Sequence, residues 1–78
     1  MSDHELIPVH PSRLGCAITA WCHANRVPFA EFARRAGVSL QSVYLVRRYP
    51  RTVRRFILQR MADVLAVPVE TLAGEGVE

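Results

Sequence analysis

The sequence contains no lysine; all ten of its positive side chains are arginine. It has only two cysteines, Cys16 and Cys22, too few for a disulfide scaffold. Six residues apart on a helix they are separated by ~9 Å of rise, beyond the ~7 Å limit between bridged Cα atoms. No internal bridge is expected, and a reducing cytoplasm is the expected compartment. No apolar run approaches the ~20 residues of a membrane span, and no signal-peptide pattern opens the chain, so no membrane partner is expected. Neither CxxC nor HxxxH spacing occurs among Cys16, Cys22, His4, His10 and His23, which argues against a metal site. No Ser/His/acid set and no pair of carboxylates placed for acid–base work is visible, so neither an enzyme nor a cofactor is expected. Internal repeats and low-complexity tracts are missing, and so is any alternating apolar run of strand length.

What remains is one small domain of 78 residues, half of them apolar and 22% charged, a composition of folded globular chains rather than disordered ones. A core this small is marginal, since a domain near this length buries only roughly 60% of its unfolded surface. The formal charge of +3 hides an uneven distribution. Arg26 to Arg60 contains nine arginines and a single acid, Glu31, for +8; the rest sets Arg13 against Asp3, Glu5, Asp63, Glu70, Glu75 and Glu78, for −5. A basic middle between acidic ends points to a polyanion as partner. The alternative is a solvated, arginine-rich helical surface.

Along the chain, residues 1 to 11 hold two prolines and no helical stripe, and read as an extended N-terminal segment. Ser12 is a candidate N-cap for a first helix over 12 to 25, with Leu14, Ala17, Ile18, Trp21, Cys22 and Asn25 on one side. Pro28 suits the first turn of a second helix, in which Phe29, Phe32, Ala33 and Ala36 follow the i, i+3, i+4, i+7 spacing. Gly37 stops it. Ser39 caps a third helix over 40 to 48, and Pro50 disfavours helical geometry at Tyr49. Thr52 starts a fourth, with Val53, Ile57, Leu58, Met61, Val64 and Leu65 on its apolar face, and a last turn runs from Val69 to Leu72. The expected fold is therefore all-α, a compact domain of four to five helices over 12 to 74, followed by an acidic tail over 75 to 78 that is expected to fray.

The window from Phe29 to Arg48 fits a tight helix-turn-helix. Ala33 is small where two helices must cross, and Gly37 supplies a left-handed turn without steric cost. Phe32, Ala36, Val38, Val43 and Val46 are placed to plug the angle between the helices. This pattern resembles the helix-turn-helix of the phage repressor and Cro family (XRE-like, lambda-repressor-like). MADVLAVPVETL, 61 to 72, is similar to that family's closing segment, with Leu72 as its packing leucine. The resemblance covers about Leu14 to Gly74, and it implies a dimeric, sequence-specific regulator of transcription that binds double-stranded DNA. Three positions depart from the family. Phe29 stands where a phosphate-touching glutamine is usual. Cys22 and Arg47 replace a buried arginine–glutamate pair, which leaves Arg47 expected to point outward. Tyr49 replaces a helix-ending glycine.

Val43 and Val46 mark the buried side of the third helix. At about 100° per residue, the opposite side carries Gln41, Tyr44, Leu45 and Arg48. These, with Leu40, are the expected readers of base edges: Gln41 toward adenine, Arg48 toward guanine or phosphate, Leu40 and Leu45 toward thymine methyls. Tyr44 and Leu45 packing under a neighbouring loop or a second subunit is the alternative. Ser39, Arg47, Arg51, Arg54 and Arg55 are the expected phosphate contacts, with a solvated role more natural for at least one of Arg34 and Arg35. One such unit touches few base pairs, so a homodimer on an inverted repeat is expected. Phe56 and the corner Val67, Pro68 and Val69 are its candidate interface. The rival reading keeps the fold and binds another protein, as an antitoxin-like or polymerase-associated module, because fold alone does not decide function.

Overall fold

The computed structural model describes residues 4–74; the acidic tail over 75 to 78 and Asp3 lie outside the described residues. Within them the chain is mostly helical. A strand β1 (Leu6–Val9) leads into a π-helical turn (Pro11–Gly15) and α1 (Cys16–Asn25), then α2 (Phe29–Ala36), α3 (Leu40–Arg48), a second strand β2 (Arg51–Arg54), α4 (Arg55–Leu65) and α5 (Val69–Leu72).

The strands correct the all-α expectation. β1 and β2 pair antiparallel, with Leu6 opposite Arg54, Ile7 opposite Val53, Pro8 opposite Thr52 and Val9 opposite Arg51. The Arg55 N–H donates to the Glu5 carbonyl at 2.7 Å, which puts the bonded pairs at every second position, Ile7–Val53 and Val9–Arg51 included. Pro8 then falls at a non-bonded position, where its missing N–H is no loss. Its carbonyl faces away from β2 and accepts from the Gly74 N–H at 2.6 Å. Ile7 and Val9 are buried while Leu6 and Pro8 are exposed, so the segment read as merely extended carries two core residues. β2 also delays α4: Thr52 and Val53 are β-branched and take the pleated geometry that suits them, so the fourth helix starts at Arg55 rather than Thr52.

The first helix is likewise split. His10, not Ser12, caps the π-helical turn, its Nδ1 accepting from the Ser12 N–H at 3.1 Å. Gly15 ends that turn in helical geometry and is buried against α3: a Cβ there would lie 3.1 Å from the Arg47 Cα. The absence of a side chain is what lets α3 approach the start of α1 so closely.

One core joins every element. Leu14 of the π-helical turn, Ile18 and Cys22 of α1, Phe32, Ala33 and Ala36 of α2, and Val43 and Val46 of α3 meet Leu58, Met61 and Ala62 of α4, with Val69 and Leu72 of α5 closing one end. Trp21 stands edge-on to Phe32 with ring centroids 5.4 Å apart. Three helices end in left-handed residues, Arg26, Gly37 and Ala66, each returning N–H groups to the carbonyls of the last turn. Only Gly37 does so without a Cβ penalty.

Candidate nucleic-acid interface

α2 and α3 are joined by Gly37, Val38 and Ser39. Gly37 turns the chain at φ 72°, and the Val38 N–H closes onto the Ala33 carbonyl at 3.0 Å. From α4, Arg60 reaches across and donates to the Gly37 carbonyl at 3.1 Å, a brace that the sequence did not reveal. Ser39 opens α3: its hydroxyl accepts from the Ser42 N–H at 3.0 Å and lies 2.9 Å from the Ser42 hydroxyl. It is thus engaged in holding the helix start. Phe32, Ala33, Ala36, Val43 and Val46 are buried at this corner, and Val38 is half-buried.

With Val43 and Val46 fixed inward, α3 turns Gln41, Tyr44 and Arg48 to solvent. Leu40 and Leu45 are not on that open face. Leu40 packs against the core. Leu45 lines a narrow groove of about 210 Å³ between α3 and β2, together with Leu6, Val53 and Ile57. Branched and leucine side chains at the edge of the buried sector lean toward available apolar surface, which a purely angular reading overlooks. Tyr44 is braced rather than loose, its ring edge-on to Phe29 with centroids 6.2 Å apart.

The arginines divide sharply. Arg48, Arg51 and Arg54 are exposed, and none of them has an acidic partner within ion-pair distance among the described residues. Because β2 is a strand, Arg51 and Arg54 leave it from opposite faces, Arg54 sharing its face with Thr52 and Leu6. Arg47 does not point outward as expected. Its guanidinium lies 3.8 Å from the centroid of the Phe29 ring, and its Nε donates to the Thr19 hydroxyl at 3.2 Å.

Arg55 is also withdrawn. It is half-buried between Glu5 at 3.8 Å and Glu70 at 3.9 Å, linking the residue before β1 and the start of α5 to the start of α4. Arg34 and Arg35 both close on Glu31, whose carboxyl is held down to about 2, first by the hydrogen bond from Arg34 and then by that from Arg35.

No family model, curated protein or solved structure matches the chain.

The candidate dimer residues are placed less favourably. Phe56 is half-buried under its own chain, with the His4 ring edge-on at 5.7 Å and the Arg60 guanidinium at 5.2 Å. Val69 belongs to the core and Val67 packs against it, which leaves Pro68 as the exposed residue of that corner. Cys22 is buried and Cys16 exposed. Burial pushes the Cys22 thiol up, with the nearby Arg47 charge working against the shift. Among the described residues no group of three or more His, Cys, Asp or Glu side chains could hold a metal ion, and no helix is long and apolar enough to cross a membrane.

Proposed function

We propose that this chain is a helix-turn-helix regulator of the phage repressor and Cro type, a binding protein rather than a catalyst, which inserts α3 into the major groove of double-stranded DNA. The observation that carries the reading is the outward face of α3. Gln41, Tyr44 and Arg48 are exposed together there, on a helix fixed by a left-handed Gly37 and an N-capping Ser39, and Arg51 and Arg54 are exposed on the strand that follows it. Gln41 has two donor–acceptor atoms that match an adenine edge, and Arg48 has the fork that matches guanine or a phosphate. Arg51 and Arg54 neutralise backbone without reading sequence. With Arg47 and Arg55 engaged inside the chain, each subunit has two to three free cations for phosphates, and the slope of log K against log salt is about −2 to −3 per subunit. A dimer on an inverted repeat supplies the remaining affinity.

Footprinting on duplex DNA upstream of the protein's own gene tests this reading. A protected inverted repeat, lost on Gln41→Ala or Arg48→Ala, is the expected result. Equal protection of unrelated DNA removes the sequence-specific claim, and binding indifferent to salt removes the DNA claim. A second reading, a protein-interaction module, is favoured by one observation, a shallow, mostly apolar groove of about 730 Å³ lined by the π-helical turn, one side of α1 and Arg47 of α3. Under that reading the outward arginines of α3 and β2 are dispensable for partner binding.

A further inference from the structure

We infer that Arg47 and Phe29 form a latch that sets the angle of α3, so that Arg47 is a positioning residue and not a phosphate contact. Its consequence for DNA affinity rests on the function proposed above; the latch itself does not.

Arg47 lies in the last turn of α3. No glycine ends it; Tyr49 leaves directly in extended geometry, with its N–H on the Leu45 carbonyl as the closing bond. At this point three other elements converge on Arg47. The Phe29 ring from the start of α2 lies under the guanidinium, whose central carbon is 3.8 Å from the ring centroid. The Thr19 hydroxyl from α1 accepts the Nε proton at 3.2 Å. Beneath the backbone, side-chain-free Gly15 admits the Arg47 Cα. A guanidinium satisfies such a site because it is planar, stacks on an aromatic face and still offers an Nε donor in the same plane. The side chain is half-buried, whereas neighbouring Arg48 is exposed.

The same Phe29 ring braces Tyr44 edge-on. One aromatic side chain therefore fixes both the end of α3 and the tyrosine at the middle of its outward face. Holding the helix and Tyr44 before DNA arrives lowers the ordering cost of binding, and it does so without adding a charge contact.

The test compares Arg47→Lys, Arg47→Met, Phe29→Leu and Arg54→Ala on the duplex that the wild-type protein selects from a random-sequence pool, across a series of salt concentrations. Lysine keeps the charge but has neither the flat face nor the Nε donor. The latch requires Arg47→Lys to lose as much affinity as Arg47→Met and Phe29→Leu, by a factor constant across salt, while Arg54→Ala makes the salt slope shallower by about 0.9. A phosphate role for Arg47 gives the opposite: Arg47→Lys binds like the wild type, and Arg47→Met makes the slope shallower by about 0.9. That result overturns the inference. If Arg47→Met does not fold, Arg47→Lys alone distinguishes the two.

Thermal unfolding reads the latch without DNA. The melting shifts of Arg47→Lys and Phe29→Leu, taken singly, exceed in sum that of the double variant when the two side chains support each other. Additive shifts refute the latch whatever the DNA result. A wild-type protein that selects no duplex refutes the proposed function and leaves the unfolding comparison to decide the latch.

Discussion

Replacing Gly15 by alanine sets two effects of opposite sign against each other, and the structure decides between them. Gly15 has φ −62° and ψ −43°, so alanine adopts its backbone without strain, and by helix propensity alone the change stabilises the protein by about 0.5–1 kcal/mol. The new methyl, however, would stand 3.1 Å from the Arg47 Cα, 3.4 Å from the Pro11 Cβ and 3.5 Å from the Val46 carbonyl oxygen. Carbon pairs are most favourable at about 3.5–4.0 Å. The closest neighbour is backbone in the middle of a packed helix end, not the tip of a flexible side chain, so relief requires α3 to move away from the π-helical turn by a few tenths of an ångström.

Overpacking of this kind costs about 1–3 kcal/mol. Set against the propensity gain, the net expectation is a destabilisation of about 1 kcal/mol. For a domain this small, that lowers the thermal midpoint by roughly 4–8 °C. Thermal unfolding followed by far-ultraviolet circular dichroism, with a urea titration to confirm the free-energy difference, measures it directly. A midpoint equal to or above the wild-type value refutes the reasoning, because it means that the gap between the turn and α3 has room for a methyl group.

Ala66 ends α4 at φ 62° with open left-handed geometry, so Ala66→Gly is expected to stabilise the protein by about 0.5–1 kcal/mol, visible as a higher urea midpoint. The Glu31 carboxyl, held down to about 2 by Arg34 and Arg35, contributes stability that is fully present above the ordinary carboxylate range and is lost as pH falls through the folded value. The stability difference between wild type and Glu31→Gln should accordingly be present at neutral pH, shrink between about pH 4.5 and pH 2, and weaken with added salt, as surface pairs do. A difference independent of pH over that range contradicts the assignment. With Cys22 buried and its thiol pushed up while Cys16 is exposed, iodoacetamide should modify Cys16 in the native protein and reach Cys22 only on unfolding; peptide mass analysis distinguishes the two sites.

Much of the helical framework was legible because it is written locally. The stripe Phe29, Phe32, Ala33, Ala36 gives α2, Gly37 its end and Ser39 the start of α3, each through chemistry within a turn or two of chain. The strand pair was not, for the same reason in reverse. Each strand has four residues, one contains a proline, and they find each other only after the chain has passed through three helices. An Ile7–Val9 alternation this short does not exceed chance without its partner, although Thr52 and Val53 were a usable β-branched signal. The outward face of α3 was read in part. Angular spacing located Gln41, Tyr44 and Arg48, but it does not say which way a leucine at the edge of the buried sector leans.

Arginine direction was the least legible property, and it changes what the charge count means. The sequence places +8 between Arg26 and Arg60, but charge on a chain is not charge on a face. Glu31 pairs with Arg34 and Arg35, and Glu5 and Glu70 with Arg55, while Arg47 and Arg60 keep their charge but are directed to neutral partners, the Phe29 ring with the Thr19 hydroxyl and the Gly37 carbonyl. What stands open around the end of α3 is Arg48, Arg51 and Arg54. Of the acids outside the basic stretch, Glu5 and Glu70 are thus drawn to Arg55 at the edge of the basic region. Fewer free cations mean fewer released counterions, and hence weaker binding by one subunit at physiological salt. Under the proposed function, occupancy of a site then depends more steeply on the second subunit and on base contacts by Gln41 and Arg48 than the arginine content alone implies.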